Sequence, residues 1–311
     1  MQEKLYQTTS NILMVRPANF GYNEETAASN AFQSNETGMN AKAASEKAIK
    51  EFDDFVAKLR DKGIHIIIVE DTPVPVTPDA VFPNNWITFH QNGTVITYPM
   101  LSKTRRLERR DDVLDILMDD FFIGKKIELE DYEQENIILE GTGSLILDRP
   151  NRLAYACLSP RTSVDLLNRF CEITDFDPVA FHAVDENGKE IYHTNVMMAL
   201  GETFVVICLE TVKDKEEHDL LLEKFSATGK EIVEISLDQM MQFAGNMLQV
   251  SNENGETFLI MSEQAFKSLR PEQIQQIEKH TAILYAPIPT IETLGGGSVR
   301  CMMAEVFLPK R

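Results

Sequence analysis

One pattern recurs along this chain and limits what it can fold into: a short β-hairpin, then a helix, then a further strand. It appears first as Phe82 to His90 and Thr94 to Tyr98, joined at Gln91-Asn92-Gly93 and followed by a helix expected over about Lys103 to Phe121. Asn-Gly is the pair that primed hairpin turns prefer. The pattern returns as Gly143 to Leu147 and Leu153 to Cys157 with a helix from Ser163 to about Thr174. It returns again as Thr194 to Leu200 and Phe204 to Cys208 with a helix from about Lys213 to Phe225. A fourth copy is Asn246 to Val250 and Phe258 to Met261 with a helix from about Glu263 to Lys279. The equivalent positions Asn85, Ser144, Asn195, Asn246 and Cys301 are separated by 59, 51, 51 and 55 residues. A period of this length is the mark of a repeated supersecondary unit.

A fifth unit is implied. The last apolar run, Met302 to Leu308, has strand composition but no helix after it. The N-terminal strand pattern Asn11 to Val15 and the Ala-, Lys- and Glu-rich helix from about Gly38 to Lys62 complete it, with Ile64 to Glu70 as a further strand. Thr72 to Pro78, with three prolines, reads as a rigid connector. Third strands are expected at Lys230 to Ile235 and Ala282 to Tyr285. Units that each hold a hairpin and a helix can close radially, with the hairpin entries around a common centre. The expected fold class is therefore α/β, one domain over residues 1–311, with five repeated ββαβ units around a pseudo-fivefold axis.

Closure of that kind brings the strand entries together, so the residues there become a candidate site. They are Asp79 with Asn84 and Asn85, Glu140, His193, Gly245 with Asn246, and Cys301. Singly, each has a bland reading: a solvated carboxylate, a structural histidine, a buried core cysteine. A carboxylate, an imidazole and a thiol in one repeat register are harder to attribute to packing. The cysteine follows Gly295-Gly296-Gly297, where positive φ and close backbone approach to a ligand are expected. A thiolate attacks, a nearby imidazole shuttles protons, and a carboxylate orients the imidazole. That set, without metal-ligand spacing, points to covalent acyl- or amidino-type transfer with no cofactor.

The run Gly295-Gly-Gly-Ser-Val-Arg-Cys301-Met resembles the C-terminal cysteine motif of the arginine deiminases and amidinotransferases, guanidino-group-modifying enzymes of the pentein superfamily. Similarity is closer to dimethylarginine dimethylaminohydrolase, through Pro78-Asp79-Ala-Val-Phe82, Glu140-Gly141, Leu158-Ser-Pro-Arg161-Thr162 and His193. The resemblance implies a five-bladed α/β-propeller in which Cys301 forms a covalent thiouronium-type adduct, His193 is general acid and base, and Glu140 holds substrate nitrogens and supports His193. It also implies that Arg161, with Arg105 or preferably Arg106, binds the substrate's α-carboxylate. Two departures bear on specificity: relatives commonly carry carboxylates where this chain has Asn84 and Asn85, and deiminases carry His-x-Asp where it has His193-Thr194-Asn195. Asn amides both donate and accept, which suits a neutral ureido group, whereas a guanidinium buried without carboxylates is costly. The chain is thus similar to the citrulline-utilisation hydrolases, with citrulline or another ureido amino acid as the expected substrate. Asp79 and Glu140 leave arginine or methylarginine deimination, and amidino transfer, as the alternative. A non-catalytic pentein used as a binding module is the second alternative, and the joint presence of Cys301, His193 and Glu140 argues against it.

Other features narrow the partners. With 49 acidic and 30 basic residues among 311, the formal net charge is -19, which disfavours nucleic acid and anionic membrane surfaces. The basic stretch Lys103 to Arg110 is offset by that balance. Cys157, Cys171, Cys208 and Cys301 have no paired spacing, so neither zinc nor a disulfide framework is indicated, and a reducing cytoplasm is expected. Met1 to Asn11 has no apolar signal core, and no run reaches membrane-spanning length. The glycine run lacks the lysine and following helix of a phosphate-binding loop. Phe82, Trp86 and Asn246 are candidates for lining the substrate, and Ala18 to Tyr22 is a candidate lid.

Overall fold

The computed structural model describes residues 4–27, 30–35 and 38–311. The described strands form five sheets of three strands each. In chain order they are β1 (Asn11–Arg16), β2 (His65–Glu70), β3 (Ile87–Phe89), β4 (Thr94–Thr97), β5 (Lys125–Glu128), β6 (Ile146–Asp148), β7 (Leu153–Cys157) and β8 (Asp177–Phe181). They continue as β9 (Met198–Leu200), β10 (Phe204–Ile207), β11 (Glu231–Glu234), β12 (Leu248–Ser251), β13 (Thr257–Ser262), β14 (Ala282–Ala286) and β15 (Ala304–Glu305). Four sheets are consecutive triplets, β3-β4-β5 to β12-β13-β14, and the fifth is β15-β1-β2. In every sheet the middle strand pairs antiparallel with the first and parallel with the third, so Ile87 faces Thr97 and Thr94 faces Lys125. The fifth sheet obeys the same rule: Leu13 faces Ala304 antiparallel and runs beside Ile67 in parallel. The two chain ends thus complete one unit, as the repeat pattern requires.

The parallel step needs a crossover, and the helices supply it. The longest, Ala41–Asp61, is capped by Asn40, whose side chain accepts from the Ala43 N–H at 2.9 Å. It buries Ala44, Ala48, Phe52, Phe55, Val56 and Leu59 along one stripe, and Gly63, at φ +76°, follows its end. Middle strands covered on both faces read as continuous apolar runs, and all of Leu153–Cys157 and Phe204–Ile207 is buried. The first strands neighbour one another across sheets: β15 lies beside β3, β6 beside β9, and β9 beside β12. Among the described residues no helix is long and apolar enough to cross a membrane.

Several elements differ from the sequence expectation. The helix expected over Lys103–Phe121 is two, Lys103–Arg106 and Asp112–Met118. Arg105, in the first of them, turns inward to pair with Glu108, while Arg109 in the connecting segment reaches Glu133, and these ion pairs set the path of the intervening chain. The helix expected over Glu263–Lys279 is divided into Glu263–Ser268 and Pro271–Glu278 because Pro271 cannot continue the ladder but suits a first turn. At the first hairpin only Gly93 takes positive φ (+80°), and its N–H donates to the His90 carbonyl. That is a three-residue loop with a left-handed last residue, not a primed two-residue turn. The last strand is Ala304–Glu305, not Met302–Leu308.

Hairpin entries differ too. Where strand was expected, the chain makes a single helical turn before β3, β6 and β9: Pro83–Asn85, Gly141–Ser144 and Thr194–Met197. These turns aim the preceding side chains inward, and they place the site.

Candidate active site

The cysteine loop is set by a helix that composition concealed. Pro289–Gly295 starts on Pro289 and is capped from outside by Glu51, whose carboxylate accepts from the N–H groups of Thr290 (2.9 Å) and Ile291 (3.0 Å). It ends on Gly296 at φ +63°, a left-handed position where a side chain would be strained. Gly295 and Gly297 are needed for space: a Cβ on either would stand 2.9 Å from the Phe82 ring. So of the three glycines one serves conformation and two serve the close approach of Phe82. A turn follows in which the Cys301 N–H donates to the Ser298 carbonyl at 3.0 Å. Cys301 is 5% exposed. Its Sγ accepts from Asn195 Nδ2 (3.4 Å) and Asn246 Nδ2 (3.3 Å), which hold the sulfur in position. Asn246 Oδ1 in turn accepts from the Arg300 N–H, linking the fourth hairpin entry to the fifth.

Glu140 and His193 meet opposite that loop. Thr194 Oγ1 donates to the Ser144 carbonyl at 2.6 Å, tying the second and third entries together. His193 Nε2 lies 2.7 Å from Glu140 Oε2, Arg161 Nη1 approaches the same oxygen at 3.5 Å, and the Leu101 N–H donates to Oε1 at 2.9 Å. Burial alone would raise the Glu140 pKa, but the charge of Arg161, the bond and charge of His193, and the charge of Arg105 outweigh it and hold the carboxylate ionised. Burial pushes His193 down to about 4 in spite of Glu140, so its imidazole is neutral at pH 7. Arg161 leaves a tight turn in which its N–H donates to Ser159 Oγ, and its guanidinium stacks on Tyr192 at 4.9 Å and donates to the Thr26 carbonyl.

Arg105 forms the third wall. It donates to both oxygens of Glu108 at 2.9 Å, to Asn85 Oδ1 at 2.8 Å and to the Phe82 carbonyl at 3.2 Å. Burial pushes Glu108 up to about 7 against the pull of Arg105. Asp79 is buried beside it, with Oδ2 accepting from Asn23 Nδ2 (2.8 Å) and Thr26 Oγ1 (3.3 Å), and burial raises its pKa. Asp79 Oδ1 and Asn85 Nδ2 have no hydrogen-bond partner among the described residues.

Asp79, Phe82, Asn85, Arg161, His193 and Cys301 all line one small cavity of about 20 Å³, together with Thr26 and Asn30. Glu140, fully buried, stands behind His193, and Asn246 behind Cys301. Three expected residues are elsewhere. Arg106 points away: its Nε donates to the Met100 carbonyl and pairs with Glu133 at 3.2 Å, while Arg105, one residue earlier in the turn, faces the cavity. Asn84 is fully buried but does not line the cavity; its backbone carbonyl accepts from Thr142 Oγ1. Trp86 packs in the core with Ile87 and Phe89. The Ala18–Tyr22 loop lines a separate cleft, and its Phe20 is 1% exposed. Asn23, Thr26, Asn30, Tyr192 and Asn195 are additions to the site, and Arg105 takes the place for which Arg106 was preferred. The clustering of Asn23, Asn30 and Asn35 in an otherwise featureless segment is the one signal that pointed toward the first three.

Residues 16–308 match the family described as "N,N dimethylarginine dimethylhydrolase, eukaryotic". The chain belongs to that family. By family it is a hydrolase acting on C–N bonds of guanidino compounds, within the pentein superfamily. No curated protein matches the chain. Among solved structures, the N-terminal domain of the cyanobacterial arginine dihydrolase ArgZ, bound to substrate, is 18% identical with a TM-score of 0.74 and covers 96% of this chain and 98% of its own. Unliganded AgrE is 18% identical with a TM-score of 0.74, covering 97% of this chain and 40% of its own. A dimethylarginine dimethylaminohydrolase adduct with S-methyl-L-thiocitrulline is 14% identical with a TM-score of 0.65, covering 96% of this chain and 99% of its own. At these identities the likeness is one of fold, and the five three-stranded sheets accord with it.

Proposed function

We propose that this family member is a single-domain, five-bladed α/β-propeller that hydrolyses the ureido carbon of an arginine-derived amino acid of citrulline type, through a covalent Cys301 adduct. The observation that carries the specificity is the orientation of one amide. Arg105 Nη1 donates to Asn85 Oδ1 at 2.8 Å, which leaves Nδ2 as the free end. That nitrogen lies 2.3 Å from the position a Cβ would take on Gly143, and His193 Nδ1 lies 2.8 Å from the same point. The site therefore presents an N–H donor beside the imidazole. A ureido oxygen accepts from it; a guanidinium, with donors only, does not. Asp79 Oδ1 is the complementary acceptor for a ureido N–H.

In this reading His193 takes the proton of the Cys301 thiol as the sulfur attacks the ureido carbon, and the Asn85 amide stabilises the oxygen as negative charge gathers on it. The adduct collapses by breaking one C–N bond, with the departing amine taking its proton from His193. Water, deprotonated by His193, then cleaves the remaining sulfur–carbon bond and regenerates the thiol. Arg161, rigid on Tyr192, reads the α-carboxylate through a fork that lysine lacks. The likeness to ArgZ, an arginine dihydrolase, makes arginine the competing substrate. The test is incubation with citrulline, arginine, methylarginines and agmatine, following ammonia and amino-acid products by mass spectrometry. Citrulline is expected to turn over fastest. A preference of more than about tenfold for arginine or a methylarginine, about 1.4 kcal/mol, would refute the ureido assignment.

A further inference from the structure

A second cleft lies at the far ends of the strands that carry the catalytic entries. Asn85 and Ser144 stand before β3 and β6; His90 and Arg149 stand just after the same two strands, at the hairpin turns. Arg149 is 5% exposed, and its side chain stacks on Phe307 with the guanidinium carbon 3.9 Å from the ring centroid. Among the described residues that guanidinium has neither a hydrogen-bond acceptor nor a carboxylate within ion-pair distance. Nearby acids are already taken: Glu305 pairs with Arg300 at 3.0 Å, Asp148 with Lys230 at 3.2 Å, and Asp175 with Arg152 at 3.3 Å. Glu305 acts on Arg149 only from beyond ion-pair distance, and a buried cation without a bonded counter-charge is expensive, a cost that an anion supplied from solution offsets.

The cleft is built to receive one. Among the described residues Arg149, Arg152, His90, Asn92 and Thr94 line it with no Asp or Glu in its wall, its volume is about 70 Å³, and the chain has a net charge of -19. His90 is close enough to Arg149 to feel its charge: burial first, and then Arg149, push the imidazole down to about 3, so it enters the cleft neutral. Its Nε2 is engaged with Thr88 Oγ1 at 3.0 Å. The cationic lining suits an isolated oxyanion.

We propose that this cleft is a binding site for a small oxyanion of phosphate size, held by the Arg149 guanidinium at the opposite end of β3 and β6 from the catalytic cavity. A planar fork matches two oxygens of such an ion in parallel bonds, which a lysine ammonium does not reproduce. The experiment titrates the full chain with inorganic phosphate by calorimetry and follows Tm in phosphate against chloride at equal ionic strength. One phosphate per chain is expected, with Tm rising as the site fills. Arg149→Met, which keeps a stem to pack on Phe307, is expected to abolish that response. Arg149→Lys, which keeps both charge and stem, is expected to weaken affinity about tenfold or more. Saturating citrulline should leave phosphate binding unchanged, which separates this cleft from Arg105 and Arg161. Absence of saturable binding by about 20 mM phosphate, full binding in either variant, or displacement by citrulline would each overturn the assignment. If Arg149→Met does not fold, Arg149→Lys and the citrulline competition still decide.

Discussion

His193 Nε2 and Glu140 Oε2 stand 2.7 Å apart with both side chains buried, and Arg161 approaches the same carboxylate oxygen from 3.5 Å. The carboxylate is thereby kept ionised without protonating the imidazole, because burial outweighs it and holds His193 down to about 4. A base that is free at neutral pH and close to charged partners is what proton shuttling at a sulfur adduct requires. Glu140→Gln preserves shape but removes the charge that orients His193. The expected result is a fall in kcat of about 10²- to 10⁴-fold with a much smaller change in KM, since the role lies in the transition state. Steady-state kinetics check it; a kcat within about threefold of wild type removes Glu140 from the mechanism.

Gly143 provides a test that needs no change to any reacting group. A Cβ there would come within 2.3 Å of Asn85 Nδ2 and 2.8 Å of His193 Cε1 and Nδ1. Gly143→Ala must therefore move the amide or the imidazole. A displacement on the scale of an ångström is expected to lower kcat/KM by about 100-fold. Circular dichroism should confirm the fold while activity is measured. Activity close to wild type would mean that the relative placement of Asn85 and His193 is not what the reaction uses.

The two neighbouring arginines separate placement from composition. Arg105 is 3% exposed and bonds Glu108, Asn85 and Phe82, whereas Arg106 serves Met100 and Glu133 at the rim. Arg106→Ala is expected to leave kcat/KM within about threefold. Arg105→Met leaves Glu108 buried and unpaired and frees the Asn85 amide to flip, so activity should be lost and stability should fall by about 3 kcal/mol or more. Equal activity of the two variants would show that the amide orientation is not set by Arg105.

These results also show where the sequence was readable. The repeat spacing carried the five sheets and the completion of one by the chain ends, because hairpin and crossover lengths are fixed by local geometry. It also brought Glu140, His193, Asn246 and Cys301 to equivalent entries. It did not reveal which of Arg105 and Arg106, or of Asn84 and Asn85, faces the cavity. Successive residues in a helical turn differ by about 100° in direction, and the turns Pro83–Asn85 and Lys103–Arg106 are too short to show a periodic face. The helix Pro289–Gly295 was hidden because its two threonines and closing glycine have poor helix propensity. It is stabilised instead by Glu51, a long-range partner that local sequence cannot supply.

Cysteine chemistry gives a direct readout of the nucleophile assignment. Burial pushes the thiols of Cys157, Cys171 and Cys208 up to about 12, so almost none of each is thiolate at neutral pH. Cys301 instead lines the cavity with two amide donors at its sulfur. Iodoacetamide on the native protein, with peptide mapping, should modify Cys301 first, and a bound substrate should slow that reaction. Faster labelling of any other cysteine would contradict the assignment. Cys301→Ser should bind substrate without turnover, because a hydroxyl offers no comparable anion near pH 7.

Glu292 supplies a prediction about stability. It lies on the helix leading to the cysteine loop, is 2% exposed, and its Oε1 accepts from Ser298 Oγ at 2.6 Å, three residues before Cys301. Burial pushes its pKa from 4.5 up to about 7, with the Ser262 and Ser298 hydroxyls pulling down and Glu51 pushing up. A carboxyl whose folded pKa is raised contributes stability that is fully present below the unfolded value and is lost as pH rises through the folded one. For Glu292 the loss runs from about pH 4.5 to 7 and amounts to about 3 kcal/mol, at about 1.4 kcal/mol per pKa unit. Glu292→Gln keeps an acceptor for Ser298 and does not titrate. Urea denaturation of both proteins across pH 4.5 to 8 isolates this group, since all other titrations cancel in the difference. The glutamine protein is expected to gain on wild type as pH rises through that window and to hold the gain above it. A pH-independent difference would mean that Glu292 is ionised in the fold and that charge, not a protonated carboxyl, anchors the cysteine loop.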